Sequence, residues 1–236
     1  MKLYAVFGCL CLLLACNKGN TSDMIIDPTP QPNPTTLTYL ALGDSYTIGE
    51  AVEPNLSFPF QLVSEIKKQN ITIASPKIIA KTGWTTDELQ TAIRAENITQ
   101  KFDIVTLLIG VNNQYRGNSQ TTYRKEFKEL LQTAINYAKG NKKHVFVVSI
   151  PDWGVTPFGK SSGRATATIA QEIDAFNAIN KEETLALGIS YTDITPASRN
   201  AATDLALVAS DGLHPSGKMY AEWALNVANA IAANLK

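Results

Sequence analysis

The sequence predicts a three-layer α/β/α sandwich built on a parallel sheet of about five strands. Three observations carry that expectation. Five short apolar runs, at residues 38–42, 77–80, 103–109, 144–150 and 189–192, alternate with longer stretches of helical periodicity. Runs such as Ile104-Val105-Thr106-Leu107-Leu108-Ile109 are apolar on nearly every position, as strands covered by helices on both faces must be. The residues able to do chemistry follow these runs rather than precede them, and ligands of open parallel sheets bind beyond the carboxyl ends of the strands.

The helices are justified one by one. Phe58, Leu62 and Ile66 recur at steps of four. Thr85-Thr86-Asp87-Glu88 is a capping-box pattern that starts a helix after the second run, with N–H groups expected to point at the site. Tyr123, Phe127, Leu130, Leu131, Ala134, Ile135 and Ala138 form the clearest stripe, at steps of three and four. Ile169, Ile173, Phe176 and Ile179 mark another helix, which Gly188 terminates. The last helix, from Pro215, places Tyr220, Trp223, Val227, Ile231 and Leu235 on one face, where the aromatics read as core.

Composition narrows the function. Lys+Arg and Asp+Glu are equal at 21 each and form no basic stripe, which argues against nucleic acid as the partner. The three cysteines, Cys9, Cys11 and Cys16, all lie at the start of the chain, so the domain needs neither disulfides nor a cysteine metal site. With only His144 and His214 available, a structural zinc is not expected, nor is any cofactor.

Lys2 followed by an apolar run ending Leu13-Leu14-Ala15-Cys16 has the form of a secretory signal and is too short to span a bilayer. Leu-Leu-Ala-Cys also resembles the lipobox of bacterial lipoproteins. That resemblance implies a leader over residues 1–15, a lipidated Cys16, export, and anchorage to a membrane. Residues 16–36, with Pro28, Pro30, Pro32 and Pro34 alternating, read as an extended tether. The domain proper is residues 37–236, expected to be a monomer.

The stretch Tyr39-Leu40-Ala41-Leu42-Gly43-Asp44-Ser45 delivers Ser45 at the end of the first run. Gly-Asp-Ser alone is ordinary turn chemistry. Its weight comes from Asp211-Gly212-Leu213-His214-Pro215 near the other end. A serine, an acid and a histidine are the parts of a serine nucleophile system, recognised by role rather than order. A serine hydroxyl attacks well only as a base removes its proton, and an imidazole can take that proton and return it to the leaving group. Asp211, three residues before His214, can reach the ring from a turn that Pro215 makes rigid. Gly83 follows the second run and Asn112, in Gly110-Val111-Asn112-Asn113, the third. His144 opens the fourth run behind Lys142 and Lys143, on the wrong edge of the sheet, and reads as structural.

In these blocks the chain resembles the GDSL esterases of the SGNH hydrolase superfamily, over most of residues 37–236. Gly-Asp-Ser with Gly49 matches the first block, Gly83 the second, Gly110-Val111-Asn112 the third and Asp211-x-x-His214 the last. The resemblance implies a flavodoxin-like sheet, a Ser45–His214–Asp211 triad, and an oxyanion hole made by the N–H groups of Ser45 and Gly83 with the amide of Asn112. It implies hydrolysis of carboxylic esters through an acyl-enzyme, on acetylated carbohydrates or lipid esters, without a metal. The third block departs from the usual pattern: Asn113 stands where the family has aspartate, and its side chain is expected to turn away from the reacting carbon.

A rival motif is Gly154-Val155-Thr156-Pro157-Phe158-Gly159-Lys160-Ser161, which fits the phosphate-loop spacing letter for letter. Such a loop works through backbone N–H groups, and Pro157 has none. The segment reads instead as a long loop over the site, with Asp152, Trp153 or Phe158 lining the substrate pocket. Two other functions stay open: an acyltransferase using the same residues, and a non-enzymatic surface lipoprotein that binds glycans.

Overall fold

The computed structural model describes residues 36–235. Each apolar run forms a strand there: β1 (Tyr39–Gly43), β2 (Lys77–Ala80), β3 (Ile104–Leu108), β4 (Val145–Val148) and β5 (Ser190–Thr192). All pair in parallel in the order β2-β1-β3-β4-β5, the flavodoxin-like order. Every residue of β1, β3 and β4 is buried, whereas the edge strands β2 and β5 are only partly covered. The leader, Cys16 and all but the last residue of the tether lie outside the described residues.

The runs overstate the strands at their ends. Asp103 does not pair in the ladder. Its carboxylate accepts from the Thr38 N–H at 2.9 Å and the Thr38 hydroxyl at 2.8 Å, which caps the strand instead. His144 falls in a 3-10 turn, Lys142–His144, at the amino end of β4 and remote from the site.

The helices are α1 (Ser45–Ile48), α2 (Phe58–Lys68), α3 (Thr86–Glu96), α4 (Val111–Tyr115), α5 (Gln120–Tyr137), α6 (Pro157–Ser161), α7 (Thr166–Ala186), α8 (Thr195–Ser198) and α9 (Gly217–Asn234). α2 and α9 pack along one another in one layer, and α5 packs between α3 and α7 in the other. The predicted stripes are the buried faces: Phe58, Leu62 and Ile66 of α2, and Tyr220, Trp223, Val227 and Ile231 of α9, are at most barely exposed. Pro215 lies two residues outside α9, whose N-cap is Ser216.

Gly43 shows why the chain must be bare where β1 hands over to α1. A Cβ there would lie 2.0 Å from Thr47 Oγ1 and 2.4 Å from the Leu108 carbonyl oxygen. Only glycine fits.

Candidate active site

The strand order reverses between β1, whose crossover leads to β2 on one side, and β3, whose crossover leads to β4 on the other. Ser45 and Asn112 follow these two strands and so flank the switch point, where such sheets bind ligands. Ser45 opens α1. Asp44 caps that helix, its Oδ1 accepting from the Tyr46 N–H at 3.0 Å, and Gly49 closes it in the left-handed region with φ of 82°.

His214 arrives from the far edge of the sheet. After β5 and α8 the chain turns back through a loop closed by an antiparallel bridge between Val208 and Pro215. The Ala209 N–H donates to the His214 carbonyl at 2.7 Å and the Ser216 N–H to Leu207 at 2.9 Å. The chain then enters α9, which packs on α2 and against β4 and β5.

Asp211 holds His214 from both sides of the turn. Its Oδ1 accepts from the N–H groups of Leu213 at 2.9 Å and His214 at 3.0 Å, and its Oδ2 lies 2.5 Å from His214 Nδ1. Partial burial pushes the Asp211 carboxyl up, but the hydrogen bonds from the His214 ring and the two N–H groups outweigh it. The carboxyl ends below its ordinary range. The Tyr46 ring lies 5.5 Å from the imidazole, centroid to centroid.

Ser45, Asn112 and His214 line one cavity of about 210 Å³. Its other walls are chiefly apolar: Val111, Trp153, Phe158 and Leu213. Ser45 is 4% exposed and His214 7%, so the serine and the ring face a sheltered space. Asp211 stands behind His214, outside the cavity wall.

Gly83 is not part of that wall. Its φ of 87° needs glycine, and its carbonyl accepts from Arg116 Nη2 at 2.5 Å. The next residue touches the site directly: Asn112 Nδ2 donates to the Trp84 carbonyl at 3.0 Å and lies 3.4 Å from Asp44 Oδ2. The capping box at Thr85 forms as expected. Its first N–H groups, however, do not aim at the site. The Thr85 N–H goes to Glu88 at 2.9 Å and the Thr86 N–H to Asn113 Oδ1 at 3.1 Å. Side chains have taken the donors that a bare helix end would leave open.

The segment 154–161 folds into a 3-10 turn, Trp153–Val155, followed by α6, with Pro157 at the first helical position. Its Phe158 N–H donates to the Gly212 carbonyl at 2.9 Å, tying this segment to the His214 loop. Trp153 and Phe158 line the Ser45 cavity as anticipated. Asp152 does not. It turns inward, where Arg199 Nε reaches its Oδ2 at 2.9 Å and the Gly154 N–H its Oδ1 at 2.9 Å.

Sequence reasoning passed over three residues at the site. Asp44 is 0% exposed, and burial pushes its carboxyl up to about 7, more than its bonds from Tyr46 and Asn112 lower it. Arg116 braces Gly83 from a loop with no motif. Tyr46 backs the His214 ring. Only Asp44 had a signal, an acid one residue before the serine. Among the described residues no cluster of His, Cys, Asp or Glu is placed to hold a metal ion.

This sheet order, with a serine-lined cavity at its switch point, is that of an α/β protein with its ligand site beyond the carboxyl ends of the strands. The chain belongs to the GDSL-like lipase/acylhydrolase family, whose model matches residues 41–222. It is therefore a carboxylic ester hydrolase of the SGNH superfamily. Solved structures share the fold. A lipase/acylhydrolase from Enterococcus faecalis is 20% identical with a TM-score of 0.63, covering 84% of this chain and 96% of its own. A catalytic mutant of an acetylxylan esterase from Geobacillus stearothermophilus is 17% identical with a TM-score of 0.65, over 84% of this chain and 96% of its own. A psychrotrophic esterase from Pseudoalteromonas sp. is 14% identical with a TM-score of 0.62, over 84% of this chain and 98% of its own. The comparison with curated proteins found no match.

Proposed function

We propose that Ser45 is the nucleophile, His214 the general base and Asp211 the residue that orients His214. The observation that carries this reading is the His214 ring, held by Asp211 at 2.5 Å on Nδ1, on the wall of the cavity that Ser45 lines. With the proton on Nδ1 directed at Asp211, Nε2 is the basic nitrogen. Ser45 Oγ attacks the ester carbonyl carbon and gives its proton to Nε2. The carbon–oxygen bond to the alcohol then breaks, and the alcohol leaves with that proton. Water attacks the acyl-serine by the same route, releasing the acid and restoring Ser45.

The oxyanion is received by the Ser45 N–H and Asn112 Nδ2, with the Gly83 N–H, from outside the cavity wall, as the third donor that the family resemblance implies. The 3.4 Å contact from Asn112 to Asp44 is too long for a firm hydrogen bond, so that N–H is the one free to turn to the oxyanion. The Trp84 carbonyl keeps the other. The leader and Cys16 support export and a lipid anchor, with residues 16–36 holding the domain off the membrane.

A fluorophosphonate probe tests the nucleophile. Labelling of the full chain that disappears in Ser45→Ala supports the assignment, and equal labelling of both proteins overturns it.

A further inference from the structure

We propose that the groove beside the Ser45 cavity binds the alcohol part of the ester, and that this alcohol is a neutral oligosaccharide. The inference rests on reading the Ser45 cavity as the ester site. The groove is open, about 650 Å³ in volume, and runs between the turn after α4 and the start of α7. Tyr115 lines both spaces, so an ester whose acyl group sits at Ser45 extends past Tyr115 into the groove.

The two spaces differ in chemistry. The Ser45 cavity has aliphatic walls at Val111 and Leu213 and is small, which suits a short acyl group. No leucine, isoleucine, valine or methionine lines the groove. Its apolar surface is that of two rings, Tyr115 and Phe176, flat faces that suit a sugar ring better than a flexible chain. Around those two rings stand planar hydrogen-bonding groups, from Arg116, Asn118, Gln120, Arg164 and Glu172. Tyr115 is 51% exposed, yet its ring is held against Trp153 at 5.3 Å, edge to face. A fixed, half-open ring ringed by amide, guanidinium and carboxylate groups fits the apolar face and the hydroxyl rim of a sugar.

Charge selects among alcohols. Arg164 Nη2 lies 2.5 Å from Glu172 Oε2, and Arg116 Nη1 lies 3.3 Å from Glu88 Oε1. Each cation already has a carboxylate, so the groove holds no surplus positive charge for a phosphate headgroup or an acidic sugar. A neutral glycan meets no such conflict.

The wall between the two spaces is a closed set of contacts. Trp153 Nε1 donates to Gln114 Oε1 at 2.8 Å, and Gln114 Nε2 donates to Glu172 at 2.5 Å. The Arg164 guanidinium, bonded to the same carboxylate, lies 5.7 Å over the Trp153 ring. A sugar that engages Arg164 or Glu172 therefore presses on the wall of the acyl cavity. Binding energy from the glycan can then be expressed at the reacting carbon.

The test compares kcat/KM of the full chain on O-acetylated xylo-oligosaccharides, p-nitrophenyl acetate, p-nitrophenyl palmitate and a lysophospholipid. The acetylated oligosaccharide is expected to be the best of the four. In an Asn118→Ala/Gln120→Ala double variant, the ratio of oligosaccharide to p-nitrophenyl acetate kcat/KM should fall about tenfold, as the loss of one or two hydrogen bonds would give. Gln120→Trp, which blocks the groove instead of stripping it, should lower the same ratio. Preference for palmitate or the lysophospholipid, or a ratio that neither variant moves, overturns the sugar subsite while Ser45-dependent cleavage of p-nitrophenyl acetate leaves the ester site standing. Cleavage of every ester by Ser45→Ala at the wild-type rate overturns the ester site itself, and the groove with it.

Discussion

Asn113 grips Thr86 at two points: its Oδ1 accepts from the Thr86 N–H at 3.1 Å and its Nδ2 donates to the Thr86 hydroxyl at 2.8 Å. It is wholly buried and points away from the Ser45 cavity. With Asn112 on the Trp84 carbonyl and Arg116 on the Gly83 carbonyl, one short helix and the turn after it fasten the whole 83–86 loop. Asn113→Ala strands a buried N–H, so a loss of about 1–3 kcal/mol is expected in urea denaturation. Asn113→Asp can still accept from the Thr86 N–H. The Thr86 hydroxyl, which now donates to Glu126 at 2.5 Å, would then lie between two carboxylates. The aspartate variant should be the more stable of the two, and its deficit should grow as pH rises and the new carboxyl ionises.

Ser45→Ala and His214→Ala are each expected to lower kcat by several orders of magnitude, with the double variant scarcely worse. Groups that act as one unit are far from additive. Asp211→Asn should lose less, since its work is to orient. EDTA should leave all rates unchanged. Steady-state kinetics on one activated ester decide this, and effects of Ser45 and His214 that multiply would break the triad.

Asn112→Ala should lower kcat by about 10²–10³ with KM almost unmoved, the pattern of a donor used mainly by the oxyanion. The same kinetics check it. A variant that raises KM and spares kcat would mean that Asn112 serves only to hold Trp84.

Asp44 should leave its mark on stability against pH. Burial raises its carboxyl from 3.8 to about 7, so between those values the folded protein keeps a proton that the unfolded chain releases. Its contribution is complete below about pH 4 and is lost as pH rises through about 7. Other carboxyls, Asp211 among them, are held low and act in the opposite sense, so the difference from Asp44→Asn is the quantity to measure. Urea denaturation at pH 4 to 8 should show wild type losing ground to Asp44→Asn up to about pH 7 and levelling off above it.

Cys16→Ser should turn a membrane-associated protein into a soluble or unprocessed one. Fractionation and the mass of the mature chain decide it, and unchanged partitioning with unchanged processing would rule the anchor out.

Strands and long helices were legible because burial writes them as unbroken apolar runs and stripes. Thr106 is the one polar residue inside β3, and its hydroxyl is matched by Tyr39 at 2.8 Å. The serine, histidine, aspartate and asparagine were legible because each follows a strand or belongs to a short, spaced block. Elements of a single turn, such as α1, α4 and α6, were not, since one turn has no period to detect. The burial of Asp44, the reach of Arg116 to Gly83 and the inward turn of Asp152 depend on residues far away in the chain. No local pattern carries them.

The loop that bears His214 leads straight into α9, which packs on α2 and against β4 and β5. Ser45 emerges early in synthesis and α9 follows both residues. On the proposed chemistry, a nascent chain, or one cut before α9, holds its serine without a partner. The protein is disarmed until that helix has docked, and because Tyr220, Trp223, Val227 and Ile231 are core, losing the helix uncovers one face of the sheet as well as releasing His214.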